Sequence, residues 1–205
     1  MSIDFVAIDA ETANRRRGSV CSLAAVRVRN GRIVEQFATL VRPPIPGFET
    51  MNVRVHGIRE TDVADAPAWS PVHGRLTEFV GDDVVVAHNA AFDASVLREA
   101  CLAAGITTPQ HAFLCSRRLA EEFLVLDKYG LKQVAAHLGL DPFAHHDALQ
   151  DATAAAQVVL ALAGIADVDT ITAFAGNTVH TAPAGLARPT TRPARRFVPH
   201  SRSVR

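Results

Sequence analysis

Apolar residues run from Ile3 to Ala10 with only Asp4 and Asp9 between them, the pattern of a strand buried on both faces. Val20 to Arg29 alternates apolar and polar positions (Leu23, Ala25 and Val28 on one side of the count) and predicts a second strand. Asn30-Gly31 is a strong two-residue hairpin signal, so Arg32 to Val41 is expected as a third, antiparallel strand. Pro43, Pro44, Pro46 and Gly47 end it and open a long loop that runs to Val55-His56-Gly57-Ile58. Ser70 to Val80 changes to a helical period (Val72, Leu76, Phe79), with Ser70 as expected N-cap and Pro71 at the first helical position. Asp83 to Ala87 is a short continuous apolar strand that ends in His88-Asn89-Ala90-Ala91-Phe92-Asp93. A helix from Ala94 to Ala104 is closed by Gly105, and Ala112 to Cys115 predicts a fifth strand. Helices follow at Arg117–Phe123, Leu131–Leu138 and Ala148–Ala163, the last stopped near Gly164. Three antiparallel strands followed by alternating strands and helices predict an α/β domain: a mixed five-stranded sheet, three strands antiparallel and then parallel ones, flanked by helices. Apolar periodicity ends near Asp169, which divides the chain into a domain over 1–168 and a flexible Pro, Ala, Thr and Arg-rich tail over 169–205.

Composition adds a charge asymmetry to this picture. The chain of 205 residues holds 21 acidic and 21 basic residues and is 48% hydrophobic, enough apolar material for one sizeable core. All the acids lie at or before Asp169, whereas six arginines and no acid follow residue 170. The fifteen basic residues that remain leave the body at −6 and the tail at +6. A net-acidic body argues against a protein whose whole surface grips nucleic acid, and fits one that gathers carboxylates around a cation. Cys21, Cys101 and Cys115 have no metal-type spacing and are expected as packed, reduced thiols. The start of the chain has no basic region ahead of an apolar stretch, and Ala152–Ala166 is short for a bilayer span and contains Gln157. The expectation is a cytoplasmic protein with no membrane partner.

Candidate chemistry lies at the ends of the expected elements. Asp9 and Glu11, at i and i+2, project to one face of a strand, with Cα atoms roughly 6.5–7 Å apart. Asp93 begins the helix after the fourth strand and Asp151 lies in the first turns of the last helix. Four convergent carboxylates cannot all ionise in a dry pocket without cations. Two divalent ions satisfy such a set and suit in-line displacement at phosphorus; oxygen ligands favour Mg²⁺ or Mn²⁺. His146, five residues ahead of Asp151, has an ordinary pKa suited to a general base. Asp147 competes with Asp151, but Asp147-x-x-Gln150 has the form of a capping box, so Asp147 is assigned to the cap. His145 is assigned a solvent or packing role, and His88 is expected to orient the loop after the fourth strand.

Together these segments resemble the DEDD exonuclease family, histidine subtype, similar to the epsilon-like proofreading exonucleases of DNA polymerase III, with a ribonuclease H-like fold. The Asp-x-Glu-Thr motif stands as Asp9-Ala10-Glu11-Thr12, and His-Asn-x-x-Phe-Asp as His88-Asn89-Ala90-Ala91-Phe92-Asp93. His-x-Ala-x-x-Asp stands as His146-Asp147-Ala148-Leu149-Gln150-Asp151, with His56-Gly57-Ile58 between the first two motifs. The resemblance covers roughly residues 3–165. It implies metal-dependent 3′→5′ hydrolysis of nucleic acid with release of nucleoside 5′-monophosphates. It further implies two divalent ions held by Asp9, Glu11, Asp93 and Asp151, and His146 as base. Thr12, His56, Phe92 and Asn89 would lie against the 3′-terminal nucleotide.

The expected substrate is nucleic acid with a free 3′ end, single-stranded DNA first, with RNA ends or short oligoribonucleotides as the alternative. A third reading is a polymerase-bound proofreading subunit tethered by its C-terminal tail, although this tail has no amphipathic helical pattern. Arg15-Arg16-Arg17, four to six residues after Glu11, are either a solvated turn or phosphate contacts.

Overall fold

The computed structural model describes residues 3–180. Its centre is a six-stranded sheet in the order β3-β2-β1-β4-β5-β6. Strands β1 (Phe5–Thr12), β2 (Val20–Arg29) and β3 (Arg32–Leu40) form an antiparallel meander. Asn30 and Gly31 take φ of 51° and 72°, the left-handed pair that a tight hairpin with the right strand twist requires. Strands β4 (Val85–Ala87) and β5 (Ala112–Cys115) lie parallel to β1. All five expected strands are present.

The period-2 alternation of β1 decides which helix covers which face. Phe5 and Ala7 face a core built with α6 (Ala148–Ala166), whereas Val6, Ile8 and Ala10 face one built with α2 (Trp69–Val80) and α3 (Ala91–Ala103). Asp9 and Glu11 continue the odd series, so the strand that builds the core carries both carboxylates out on the α6 side. Alanines at 148, 152, 154, 155, 156 and 163 let α6 approach the sheet closely, with Val158, Val159 and Leu162 buried between them. This helix of 19 residues is long and apolar enough to cross a bilayer by length and composition, longer than the segment expected from sequence; here its apolar surface is largely inside the core.

Several expectations shift. β1 continues to Thr12, so Asp9 and Glu11 sit within the strand. The loop after β3 contains a helix, α1 (Thr50–His56), which buries no residue and therefore left no apolar periodicity to read. α2 starts at Trp69; its N-cap is Ala68, without a side-chain bond, and Ser70 lies inside the helix. α3 starts three residues early, which places Asp93 in its first turn. α6 runs through Gly164 to Ala166 and ends on Asp167 with φ 51°, one of the few non-glycine types that tolerates that conformation. Helices α4 (Ser116–Phe123) and α5 (Leu131–His137) lie where expected.

The boundary near residue 169 also moves. Ile171 and Phe174, in a 3₁₀ segment over Ile171–Asn177, are buried in the core, with Phe174 edge-on to Phe123 at 6.0 Å. Thr178–His180 then form β6, antiparallel to β5. Two buried side chains and a three-residue strand are too short a signal to stand out against the biased composition around them. The tail proper, with its six arginines and the expected polymerase tether, falls on 181–205 and lies outside the described residues.

Candidate active site

The site is built where β1, α3 and α6 meet. Asp9, Glu11 and Asp151 each bring a carboxylate oxygen to within 4.8 Å of the others. Asp151 reaches the group because Asp147 caps α6: its side chain accepts from the Gln150 amide at 3.0 Å, and the Asp151 amide donates to the Asp147 carbonyl at 2.9 Å. The cap expected at Asp147 is the one observed, and Asp151 lies with Asp9 and Glu11. The Gln150 side chain does not return to the N-cap amide; it accepts from the Ala144 amide at 2.6 Å, so the box is only half closed. Asp93 is 2% exposed, with Oδ1 buried and without a hydrogen-bond partner, and is close enough for its charge to act on Asp9 and Glu11.

Electrostatics shows what this arrangement lacks. Burial, then the neighbouring Asp93, Glu11 and Asp151, hold the Asp9 carboxyl well above the usual carboxylate range. Burial and then Asp151 and Asp93 push Glu11 up to about 8. Burial raises Asp93 to about 7, against backbone hydrogen bonds that work the other way. A set of four carboxylates, three of them reluctant to ionise and one of those three, Asp93, with an orphaned buried oxygen, fits a divalent cation held by oxygen ligands.

Two histidines stand over the carboxylates. His146 has φ 69°, and this left-handed turn stacks its ring on that of His145, 3.9 Å between centroids and 25° between planes. His146 Nδ1 is 3.8 Å from Glu11 Oε1, and its backbone amide donates to Asp151 Oδ2 at 2.9 Å. Partial burial and then His145 lower the pKa of His146, so its ring is neutral at neutral pH and can accept a proton. The solvent or packing role expected for His145 is incomplete, because its ring packs on His146 and Phe143 but is also tied to Asp151. Its Nδ1 lies 2.9 and 2.8 Å from the two oxygens of Asp151 and helps hold that carboxylate. Adjacent residues ordinarily diverge, and nothing in the sequence marks His146 as left-handed.

A cavity of about 370 Å³ opens over this group. Thr12, His56 and Phe92 line it, as do Met51, Asn52 and Val55, which sequence reasoning missed. Met51, Asn52, Val55 and His56 share a helical face at i, i+1, i+4 and i+5, a signal visible only once α1 is known to be a helix. Both ring nitrogens of His56 are engaged within the protein. Nε2 donates to the Thr12 carbonyl at 3.2 Å, beside the Asn52 side-chain amide at 2.8 Å, and Nδ1 accepts from the Ile58 amide at 3.0 Å. Asn89, in the left-handed region at φ 73°, does not line this cavity; it lines a neighbouring one that shares Phe92.

His88 ties the loop after β4 to the chain ahead of α5. Nε2 lies 2.9 Å from the Tyr129 carbonyl and Nδ1 2.9 Å from Ser116 Oγ. Burial holds its pKa down at about 4. Folded His88 therefore binds its proton below the range of an unfolded histidine, and its contribution to stability is present above pH 6.5 and is lost as pH falls toward 4. Wild-type protein should lose up to about 3 kcal/mol relative to His88→Gln between pH 7 and pH 4, as read from urea midpoints of both at each pH. Parallel curves would show that the ring is not buried in this way.

Comparison with known proteins shows the family. The RNase T exonuclease family model matches residues 6–159. The chain is 33% identical over 159 residues to DNA polymerase III subunit epsilon of Aquifex aeolicus, covering 76% of this chain and 78% of that protein. It is 37% identical over 169 residues to a DNA polymerase III subunit epsilon-like protein of Rhodobacter capsulatus, covering 78% of this chain but 24% of the relative. Other curated relatives are also much longer, the chain spanning 26%, 11% and 12% of three of them. Among solved structures, Exonuclease X in complex with 5′-overhanging duplex DNA superimposes with a TM-score of 0.66 at 26% identity, over 80% of this chain and 93% of that one. The ribonuclease H-like sheet, the ordered motifs and these matches agree: the chain belongs to the DEDD 3′→5′ exonuclease family.

Proposed function

We propose that the protein removes nucleotides one at a time from the 3′ end of single-stranded DNA and releases nucleoside 5′-monophosphates. The observation that carries this reading is the convergence of Asp9, Glu11 and Asp151, electrostatically coupled to Asp93 with its orphaned Oδ1, with a neutral histidine at the rim. The four carboxylates would hold two Mg²⁺ or Mn²⁺ ions, which when bound supply positive charge to the entering and leaving oxygens of the displacement.

The chain's own residues do the rest. His146, 41% exposed at the side chain, takes a proton from the attacking water. With Nδ1 turned toward Glu11, Nε2 is the nitrogen that receives it, and the Glu11 carboxylate stabilises the imidazolium that forms. His145 keeps Asp151 oriented during this exchange. Met51 and Val55, apolar yet 66% and 47% exposed, join Phe92 as a surface for the terminal base. His56, with its ring nitrogens occupied, fixes the Thr12 carbonyl and offers the substrate only the shape of the pocket wall.

Matched 5′-labelled single-stranded DNA, RNA and mismatched-primer substrates test this directly. The expected result is a ladder on DNA that shortens from the 3′ end. A ladder confined to RNA would overturn the DNA assignment, and release of internal fragments would overturn the polarity.

A further inference from the structure

We propose that the cavity between the Arg15–Gly18 turn and α3 is a second binding site, which holds the phosphate backbone of the strand on the 5′ side of the bond cut. The proposal rests on the exonuclease reading of the neighbouring site. The cavity, about 630 Å³, is lined by Arg16, Arg17 and Arg98 together with Asn89, Phe92 and one carboxylate, Glu99, which pairs with Arg98. Phe92 also lines the cavity over the carboxylates, so the two are contiguous across one ring. A strand whose 3′ end lies against Asp9 and Asp151 thus has to pass only Phe92, with Arg17 stacked on it, to reach a cavity that holds three guanidinium groups.

These arginines are held in place by the fold. Asn14 Oδ1 accepts from the Arg16 amide at 3.0 Å, and its Nδ2 donates to the Gly47 carbonyl at 2.6 Å. Ser19 Oγ donates to the Arg16 carbonyl at 2.7 Å and accepts from the Asn14 amide at 3.1 Å. Gly18 lets the turn touch α3: a Cβ there would lie 2.8 Å from both the Glu99 carbonyl oxygen and Ile45 Cδ1. Arg17 is stacked over Phe92, 4.0 Å from its centroid. Among the described residues, Arg15 has Glu49 at 3.7 Å and Arg98 has Glu99 at 3.0 Å, whereas no carboxylate lies within 4.0 Å of the Arg16 or Arg17 guanidinium. A pinned turn that directs two cations into a cleft, Arg16 with no carboxylate within 4.0 Å and Arg17 acting on Asp93 only from beyond that distance, in a body with a net charge of −6, is an arrangement that lets a polyanion approach this surface. Of the arginine run, left open between a solvated turn and phosphate contacts, Arg16 and Arg17 are thereby assigned to phosphate, and Arg15 stays on the solvated side of the turn beside Glu49.

The test separates this site from the catalytic one. A nitrophenyl ester of thymidine 5′-monophosphate has no upstream nucleotide, and Arg16→Glu and Arg98→Glu should hydrolyse it within about twofold of wild type. On oligothymidylates of increasing length, wild-type kcat/KM should rise from the dinucleotide upward, and the double variant Arg16→Glu/Arg98→Glu should lose that rise. In Arg16→Gln/Arg98→Gln the slope of log affinity against log salt should fall by about 1.4, close to 0.7 for each phosphate contact removed. An unchanged length dependence and salt slope, with ester hydrolysis intact, would overturn the proposal. If wild type hydrolysed neither substrate, the reading of the carboxylate site would fail instead. Fluorescence anisotropy with the same oligothymidylates and variants, which needs no turnover, would still decide whether the cavity binds the strand.

Discussion

Asp9→Asn should lower kcat/KM by about 10³-fold or more while leaving the metal-free protein at least as stable as wild type. The activity side follows from position. Asp9 is the carboxylate that the other three act on, and losing one ligand at the centre of the group forfeits several kcal/mol of charge stabilisation, each 1.36 kcal/mol being tenfold in rate. The stability side follows from its environment, since a buried carboxyl held well above its ordinary range is a repulsive one, which an amide of the same shape relieves. His146→Ala should cost about 10²- to 10⁴-fold in turnover, the usual worth of a positioned base, with little change in KM. Initial rates on labelled single strands, paired with thermal melts of each variant in EDTA, check both. Near-wild-type nucleotide release by His146→Ala would sink the base assignment. A variant that loses activity and stability together would make Asp9 a structural residue.

Chelation should have the second large effect. Excess EDTA should abolish hydrolysis, and Mg²⁺ or Mn²⁺ should restore it. The same titration has a readout independent of turnover. A cation at about 100 times its dissociation constant adds about 2.7 kcal/mol, which for a chain of this size raises the melting temperature by about 5–10 °C. The effect should depend on pH. Folded Glu11 and Asp93 hold their protons up to about 8 and 7, above unfolded carboxyl groups, so the metal-free fold binds more protons and loses stability as pH rises from about 4.5 to 8. Thermal melts across that window should therefore diverge, falling with pH in EDTA and staying flatter with cation present. His88 contributes with the opposite sign between pH 4 and 6.5, and the His88→Gln background removes it. A melting temperature indifferent to both cation and pH would refute the cation site.

Much of this was legible because the carboxylates are coupled to features with short periods. Asp9 and Glu11 fall on the odd face of a strand whose odd residues build the core with α6, so the pattern that makes the strand also orients the pair. Asp151 was separable from Asp147 because a cap leaves a local signature. What stayed hidden depended on features without period or composition. α1 buries nothing, and so Met51, Asn52 and Val55 read as loop. His145 meets Asp151 only because His146 takes a left-handed turn, which no rule of spacing anticipates for that residue type. Asn89 belongs to a consecutive motif, yet its positive φ turns it to the far side of Phe92.

The packing of residues 171–180 has a practical corollary for anyone trimming this protein. A chain cut after residue 168, where composition changes, would leave the edge of β5 without its partner strand and remove two aromatic and aliphatic plugs, Ile171 and Phe174. Unpaired edges and uncovered apolar surface are what drive chains to associate with one another. The shortest version worth purifying therefore ends beyond His180, and the choice of where to stop decides solubility before any assay of catalysis begins.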